Sequence, residues 1–307
     1  MFLSPAAMHI PDGFLSLPVA LVGWGLTLAL LAAALRRANA PSQLPFMGVL
    51  AAFIFAAQAI NFPVAAGTSG HLIGAALAAI LLGPWQGMLA MTAVVSVQAL
   101  VFQDGGLLAL GWNLFNMGAL ACFAGDWIYR RLGALQGRRA PAAAFLAGWL
   151  SVMAAATATS LQLAASGTVA PQLVLPAMLG VHALIGVGEG LLTAGAVAFL
   201  RAAQPTALAR PAGTFADRRT AYLLLGLGLA LLLTPLASGF PDGLERVAER
   251  FAFDANARAL GIGLLRDYAL PGVSNPALAA ALAVALGAAL LAGVGWLLAR
   301  ALARADS

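Results

Sequence analysis

Long apolar stretches recur along most of this 307-residue chain, and they constrain its fold more than any other feature. Many run for about 18 residues or more with few charges, which is long enough to cross the ~30 Å hydrocarbon core of a bilayer as a helix. Hydrophobic residues make up 62% of the sequence and charged residues only 9%. The sequence therefore predicts an all-α polytopic membrane protein.

Charges, prolines and glycines divide the apolar sequence into about nine predicted transmembrane helices, seven followed by two. They lie at roughly 17–36, 44–62, 70–83, 84–103, 107–131, 141–165, 171–202, 219–236 and 276–303. The third is short, and the sequences Gly67-Thr68-Ser69-Gly70 and Gly83-Pro84 frame it. A short helix beside an irregular loop indicates a site buried at membrane depth.

All 16 basic residues are arginines, and they predict the topology. With the N-terminus outside, twelve lie on the inner side: Arg36, Arg37, Arg130, Arg131, Arg138, Arg139, Arg201, Arg210, Arg218, Arg219, Arg300 and Arg304. The other four lie in one outer loop: Arg246, Arg250, Arg258 and Arg266. The positive-inside rule therefore favours a multi-pass protein of the cytoplasmic (inner) membrane, with the N-terminus outside and the C-terminus inside.

The absence of lysine excludes several functions. A Walker A motif needs its lysine, and so does a Schiff base to an organic cofactor. We therefore expect no bound organic cofactor, and no transport driven by a P-loop of this chain. The arginines form no basic stripe with interleaved aromatic residues, so we expect the lipid bilayer rather than nucleic acid as their environment.

A polar, basic break in composition at about 203–218 divides the chain in two. We expect a first membrane domain at 8–205 and a two-helix module at 213–307, whose outer loop spans about 237–275. In that loop the apolar residues have the spacing of an amphipathic helix lying on the outer surface: Leu244, Val247, Ala248 and Phe251.

A histidine, His9, directly follows Met8 near the first apolar segment. A lone histidine at a membrane edge is more often interfacial than a ligand, but this balance changes if Met8 is the first residue. The α-amine of Met8, the backbone nitrogen of His9 and its imidazole would then form adjacent five- and six-membered chelate rings. Deprotonation of the amide nitrogen favours Ni(II) or Cu(II), also suits Co(II), and excludes Mg(II) and Ca(II).

The fourth position of such a planar site needs another donor, and His71 is the candidate. It follows the GTSG sequence on the same predicted side as His9. Its alternative role is that of a histidine ending a turn at the interface. Sequence spacing does not decide between the two.

Further polar residues in apolar segments are candidates for supporting the metal ligands or relaying the ion. His182 and Glu189 fall on one face of a predicted helix. Glu189 is costly to place at mid-membrane, so it needs a partner or a cavity, and a structural hydrogen-bonding role is the default. The remaining candidates are Gln58, Asn61, Ser69, Gln98 and Gln103.

Two other functions compete with metal capture. The sequence Gly67-Thr68-Ser69-Gly70 matches the GxSG nucleophile motif of rhomboid-type intramembrane serine proteases, with His182 as the base. Four residues with two glycines are a weak signal in a chain with 34 glycines. A channel or secondary carrier that works alone is the other alternative.

In combination, these stretches resemble the substrate-binding component of the energy-coupling-factor (ECF) transporters for nickel or cobalt, of the CbiM/NikM type. The matching sequences are MHIPDGF at 8–14, NFPV and GTSGHL within 61–72, QDGGLLALGWNLFNMG at 103–118 and HALIGVGEG at 182–190. The tail resembles the small NikN-like accessory subunit, through PDGLE at 241–245 and DYALPG at 267–272.

The resemblance implies a seven-helix module that binds Ni(II) or Co(II) as transported substrate through four nitrogens. These would be the amine of Met8, the backbone nitrogen and imidazole of His9, and the imidazole of His71. It further implies an ABC-type transporter in which a separate transmembrane coupling (T) protein and cytoplasmic ATPase subunits are the partners. The imported ion would serve cobalamin biosynthesis or nickel-enzyme maturation. The chain itself would not be an enzyme.

The first seven residues, MFLSPAA, depart from this family pattern. With Met1 as the terminus, the nitrogen of Met8 is an amide and the four-nitrogen site does not form. We therefore expect residues 1–7 to be absent from the working protein, either because translation starts at Met8 or because the extension is removed. The remaining alternative is a different coordination.

Overall fold

The computed structural model describes residues 9–38, 41–65, 67–132, 139–203, 218–258 and 263–305. Helices dominate this part of the chain. In chain order they are α1 (Leu17–Arg37), α2 (Leu44–Gln58), α3 (Ala75–Leu82), α4 (Pro84–Val97), α5 (Leu110–Asn113), α6 (Ala121–Arg131), α7 (Ala140–Ala165), α8 (Pro171–Ala203), α9 (Arg218–Leu233), α10 (Gly243–Arg250) and α11 (Pro276–Ala305). Two π-helical stretches extend them, Gln98–Phe102 after α4 and Leu114–Leu120 between α5 and α6.

Six helical stretches of the described chain are long and apolar enough to span a membrane: Leu17–Arg37, Pro84–Phe102, Ala140–Ala165, Pro171–Ala203, Arg218–Leu236 and Pro276–Arg300. The prediction of a helical, multi-pass membrane protein is confirmed. Three predicted spans are not among the six. At 44–62 and 70–83 the helices α2 and α3 have only 15 and 8 residues. At 107–131 the helix contains a π-helical stretch and, near its end, Asp126, Arg130 and Arg131.

A β-hairpin interrupts the helical architecture where the sequence predicted only an irregular loop. Strand β1 (Phe62–Ala65) pairs with antiparallel strand β2 (Thr68–Gly70). Gly67, with φ of +72°, lies in the connection. The all-α prediction is wrong at this point, because a chain that leaves a helix in a buried place must still pair its backbone polar groups.

The helix α3 begins and ends at glycines that turn the chain sharply. Gly74 precedes it with φ of +75°, and Gly83, with φ of +86°, separates it from α4, whose first residue is Pro84. The short third segment is therefore a helix of two turns. It lies inside the molecule, since nearly all of its side chains are buried.

The tail helices share a core with the first domain. Helix α2 is almost completely buried. Helix α11 packs along it, and the two helices cross where Gly48 of α2 meets Gly295 of α11. A side chain on Gly48 would place its Cβ only 3.0 Å from Gly295 Cα. The ring of Phe55 packs against Gly287 of α11 in the same way. Outward-facing leucines of α9, such as Leu225 and Leu232, are more than 70% exposed, as a lipid-facing surface requires.

The predicted amphipathic helix in the 237–275 loop is confirmed as α10. Asp242 caps its first turn, and Glu245 completes a capping box. Three of the four predicted apolar residues are buried, and the fourth, Phe251, lies just after the helix and is half-buried. The apolar face packs on α8 and on the N-terminal segment through a cluster that includes Ile10, Met178 and Leu244.

Candidate metal-binding site

The N-terminal segment runs into the protein interior and is held there through its backbone. The Asn113 side chain accepts a hydrogen bond from the Ile10 amide at 3.1 Å and donates one to the Ile10 carbonyl at 3.0 Å. The Asp12 carboxylate accepts hydrogen bonds from the backbone amides of Leu107, Leu108 and Ala109. These contacts fix the depth of His9, which is only 3% exposed.

The loop that contains His71 is held by two polar side chains from neighbouring helices. The Glu189 carboxylate in α8 accepts hydrogen bonds from the amides of Ile73 at 2.7 Å and Gly74 at 2.8 Å. Gln58 at the end of α2 donates to the Ile73 carbonyl at 2.6 Å. Glu189 thus has a structural role, in which a buried carboxylate pairs with backbone amides and fixes the loop two residues after His71.

His9 and His71 meet in the interior although 62 positions separate them in the sequence. Their ring centroids are 5.8 Å apart. Because metal–nitrogen bonds to imidazole are about 2.0–2.1 Å long, this separation accommodates one ion bound by both rings. The two rings line a cavity of about 70 Å³, together with His182, Asn113 and Asp242.

One ring nitrogen of His9 has no hydrogen-bond partner among the described residues. Nε2 of His9 and Nδ1 of His71 are both buried without a hydrogen-bond partner among the described residues, which is uncommon for buried polar atoms and is typical of imidazoles at a ligand site. Burial, and to a smaller extent the neighbouring His9, lowers the pKa of His71 to about 3. The imidazole of His71 is therefore neutral at physiological pH, which is the form that binds a metal.

Each of the two rings also has a carboxylate near its Nδ1 atom. His9 Nδ1 is 2.8 Å from Asp104 Oδ1, and the Tyr268 hydroxyl donates to Asp104 Oδ2 at 2.7 Å. Burial raises the pKa of Asp104, but the His9 imidazole and both hydrogen bonds lower it more, so the net shift is downward. His71 Nδ1 is 3.6 Å from Asp242 Oδ2.

Met8 lies outside the described residues. Within the described ranges, no three His, Cys, Asp or Glu side chains converge as a metal-binding group.

Most of the other predicted site residues lie beside the cavity rather than in it. Gln98 donates to Gln58 and so joins α2 to the end of α4, and Gln103 accepts a hydrogen bond from Arg266. Asn61 accepts one from the amide of Ser238 through its backbone carbonyl. The side chains of Gln98, Gln103 and Asn61 do not line the cavity. The contacts given above connect helices and the tail, and a supporting or relay role for these three residues stays a prediction.

Ser69 and His182, both described, do not form the serine–histidine pair of a protease. The Ser69 hydroxyl donates to the carbonyls of Phe240 and Pro241. His182 lines the cavity, and its Nδ1 is 2.8 Å from the carbonyl of Met178 one helical turn earlier. Neither contact activates a nucleophile, since a base must lie within hydrogen-bond reach of the hydroxyl.

Three residues of this site were not singled out from the sequence: Asp104, Asp242 and Tyr268. Asp104 and Asp242 stand in otherwise apolar or turn-rich stretches, and a carboxylate in such a place needs a partner. A carboxylate in such a stretch predicts that it has a partner, but the sequence does not show which residue the partner is. His9 and Asp104 lie 95 positions apart, and the fold alone brings them together.

Two family models match successive parts of the chain. The model of the CbiM family, described as the cobalt uptake substrate-specific transmembrane region, matches residues 9–207. The model of the PDGLE domain matches residues 217–304.

Curated relatives match over nearly the whole chain. A putative fused nickel transport protein NikMN of Archaeoglobus fulgidus is 37% identical, over 95% of this chain and 98% of the relative. The fused nickel transport protein NikMN of Rhodobacter capsulatus is 32% identical, over 94% of this chain and 96% of the relative. A cobalt transport protein CbiM of Geobacter sulfurreducens is 33% identical, over 80% of this chain and 78% of the relative.

A solved structure is similar over the first domain. The crystal structure of a truncated transition metal transporter superposes with a TM-score of 0.58 at 32% identity, covering 64% of this chain and 99% of the other. The chain therefore belongs to the CbiM family of cobalt uptake substrate-specific transmembrane regions, with a PDGLE domain fused behind it.

Proposed function

We propose that this protein captures Ni(II) or Co(II) and imports it as the substrate-specific membrane subunit of an ECF-type ABC transporter. The observation that supports this most is the meeting of His9 and His71 in a buried cavity, with their ring centroids 5.8 Å apart. The relatives named as nickel and cobalt transport proteins agree with it.

The proposed ligands are the amine of Met8, the backbone nitrogen and imidazole of His9, and the imidazole of His71. A six-membered chelate ring that starts at the His9 backbone nitrogen closes through Nδ1, the nearer ring nitrogen. In this structure His9 Nδ1 lies 2.8 Å from Asp104 Oδ1. Ion capture therefore includes a half turn of the His9 ring about the Cβ–Cγ bond, which moves Nδ1 to the opposite edge.

Membership of the CbiM family supports a proposal for the rest of the transporter. The metal-binding domain covers 8–205 and the accessory domain 213–307, with seven and two membrane helices, the N-terminus outside and the C-terminus inside the cytoplasmic membrane. A separate coupling protein and cytoplasmic ATPases supply the energy. The imported ion serves cobalamin biosynthesis or nickel-enzyme maturation, and nickel and cobalt share the site because both accept planar nitrogen donors.

Substitution of the histidines tests the site. In purified protein we expect His9→Ala and His71→Ala each to abolish stoichiometric nickel binding, because each removes a ligand. His182→Ala should weaken binding less, because this side chain lines the cavity without completing the ligand set. Metal content after gel filtration measures the effect, and retention of one nickel per chain by His71→Ala would falsify the four-nitrogen assignment.

A further inference from the structure

Both histidines of the proposed site have an outer contact with a residue of the tail domain. Tyr268 contacts His9 through Asp104, and Asp242 faces His71 directly. We propose that Tyr268 and Asp242 are positioning residues for the two metal-binding imidazoles, so that the fused accessory domain completes the metal site. This inference rests on the proposed function and deepens it.

The Tyr268 hydroxyl is placed by a well-defined local structure. Its ring stacks on Phe102, the last residue of the π-helical stretch that follows α4. The two ring centroids are 4.7 Å apart, and the angle between the ring planes is 20°. The amide of Leu265 donates to the Val101 carbonyl at 2.9 Å. Asp267 and Tyr268 both have φ of +55°, a conformation that non-glycine residues rarely adopt and that recurs at functional sites.

The chain of contacts from Tyr268 ends on a ring nitrogen of His9. Tyr268 donates to one oxygen of Asp104, and the other oxygen lies 2.8 Å from His9 Nδ1. A carboxylate that accepts the N–H of a metal-binding imidazole fixes the tautomer and the orientation of that ring. In the proposed chelate Nδ1 binds the ion, so Nε2 is the nitrogen that carries the N–H.

Asp242 lies beside His71 and lines the same cavity. It is 2% exposed, caps α10 and places Oδ2 3.6 Å from His71 Nδ1. The turn before α10 is fixed to the loop of His71, because the amide of Ser69 donates to the Pro241 carbonyl at 2.8 Å and the Ser69 hydroxyl donates to the Phe240 carbonyl at 2.7 Å. The accessory domain therefore touches the hairpin two residues before His71.

Conservative substitutions separate positioning from folding. Tyr268→Phe keeps the stacking on Phe102 and removes only the hydroxyl, and Asp242→Asn keeps a good helix cap while replacing the carboxylate with an amide. In the purified full chain, we expect each to weaken nickel affinity by about tenfold or more, as the loss of an outer partner of a metal ligand does. Competition with a chromophoric chelator measures the affinity, and the visible absorption band of bound nickel should shift.

Two controls accompany these variants. Tyr222→Phe changes a tyrosine in α9 of the same domain, whose ring packs on Phe199 of α8, and it should leave the nickel affinity and the absorption band unchanged. If Tyr268 acts through Asp104, the double variant Asp104→Asn/Tyr268→Phe should bind no more weakly than Asp104→Asn alone. Fully additive losses, or affinities of Tyr268→Phe and Asp242→Asn within twofold of the parent protein, would overturn the inference.

The two proposals fail differently. If His71→Ala loses its nickel while Tyr268→Phe and Asp242→Asn bind like the parent, the metal site stands and the positioning role is wrong. If His71→Ala retains its nickel, the proposed ligand set is wrong and the positioning role falls with it. Thermal unfolding of every variant in the same detergent identifies any that is misfolded. If Tyr268→Phe is misfolded, the nickel affinity of Asp104→Asn tests the same chain of contacts to His9.

Discussion

At the scale of single residues, the site depends on which nitrogen of each imidazole faces the cavity. His9 contacts Asp104 through Nδ1 and leaves Nε2 unpaired, whereas His71 directs Nδ1 toward Asp242. The sequence predicts both histidines from their chemistry, because a histidine after a methionine at a chain terminus suits a planar chelate. It does not predict their outer partners, because tertiary contacts alone bring these residues together across long separations.

Nickel affinity should fall steeply as the pH drops below the range of a terminal amine, about 7.7–8.0. The Met8 amine and the His9 amide must each release a proton to bind the ion. Burial holds the pKa of His71 at about 3, so this imidazole stays neutral and adds no proton of its own. Chelator competition at several pH values should show that the nickel affinity falls by about tenfold or more for each pH unit. A pH-independent affinity between 6.5 and 8.5 would exclude a terminal amine ligand.

At the scale of elements, the loop of His71 is assembled by contacts that the apolar pattern does not contain. The predicted break of the third segment is present, but as a β-hairpin, a left-handed glycine and the two-turn helix α3. Glu189 and Gln58 satisfy its backbone polar groups from α8 and α2. Hydrophobic periodicity predicts the long helices well, since lipid requires them. It does not predict a short paired strand or the π-helical stretches, which depend on neighbours.

The crossing of α2 and α11 should tolerate no added atom. A Cβ on Gly295 would lie 2.7 Å from Gly48 Cα, whereas one on Gly293 in the same helix would have nothing within 4 Å. We expect Gly295→Ala to be less stable than Gly293→Ala by about 1–3 kcal/mol, the usual cost of overpacking. Both variants gain the same helix propensity, so the difference between their free energies of unfolding measures the steric clash of the added methyl group at Gly295. Equal melting temperatures in detergent would contradict this packing.

At the scale of the whole molecule, the accessory domain is part of the binding protein rather than an appendage. Its helix α11 packs on the buried α2, and its helix α10 packs on α8. Its residue Asp242 lines the cavity of the proposed site, and Tyr268 donates to Asp104. The sequence predicts two domains from the basic break at 203–218. It does not predict that they share a core, because the composition of a linker carries no information about contacts across it.

Uptake should require partner proteins. Cells that express this chain alone should accumulate no nickel above background, whereas cells that also express a family coupling protein and its ATPases should accumulate it. Deletion of the 237–275 segment should change uptake even with the partners, because that segment contains α10 and Tyr268. Radioactive nickel accumulation measures both effects. Uptake by the chain alone would favour the stand-alone channel or carrier, and unchanged uptake after the deletion would exclude a role for the segment.

The central claim is that Met8 is the terminus of the working protein and provides a metal ligand together with His9 and His71. Native mass spectrometry of the purified protein, with and without nickel, tests it most directly, because one spectrum reports both the length of the chain and its metal content. We predict a chain that begins at Met8 and binds one nickel ion with the release of protons from its ligands. A chain that retains residues 1–7 and still binds one nickel ion would contradict the account.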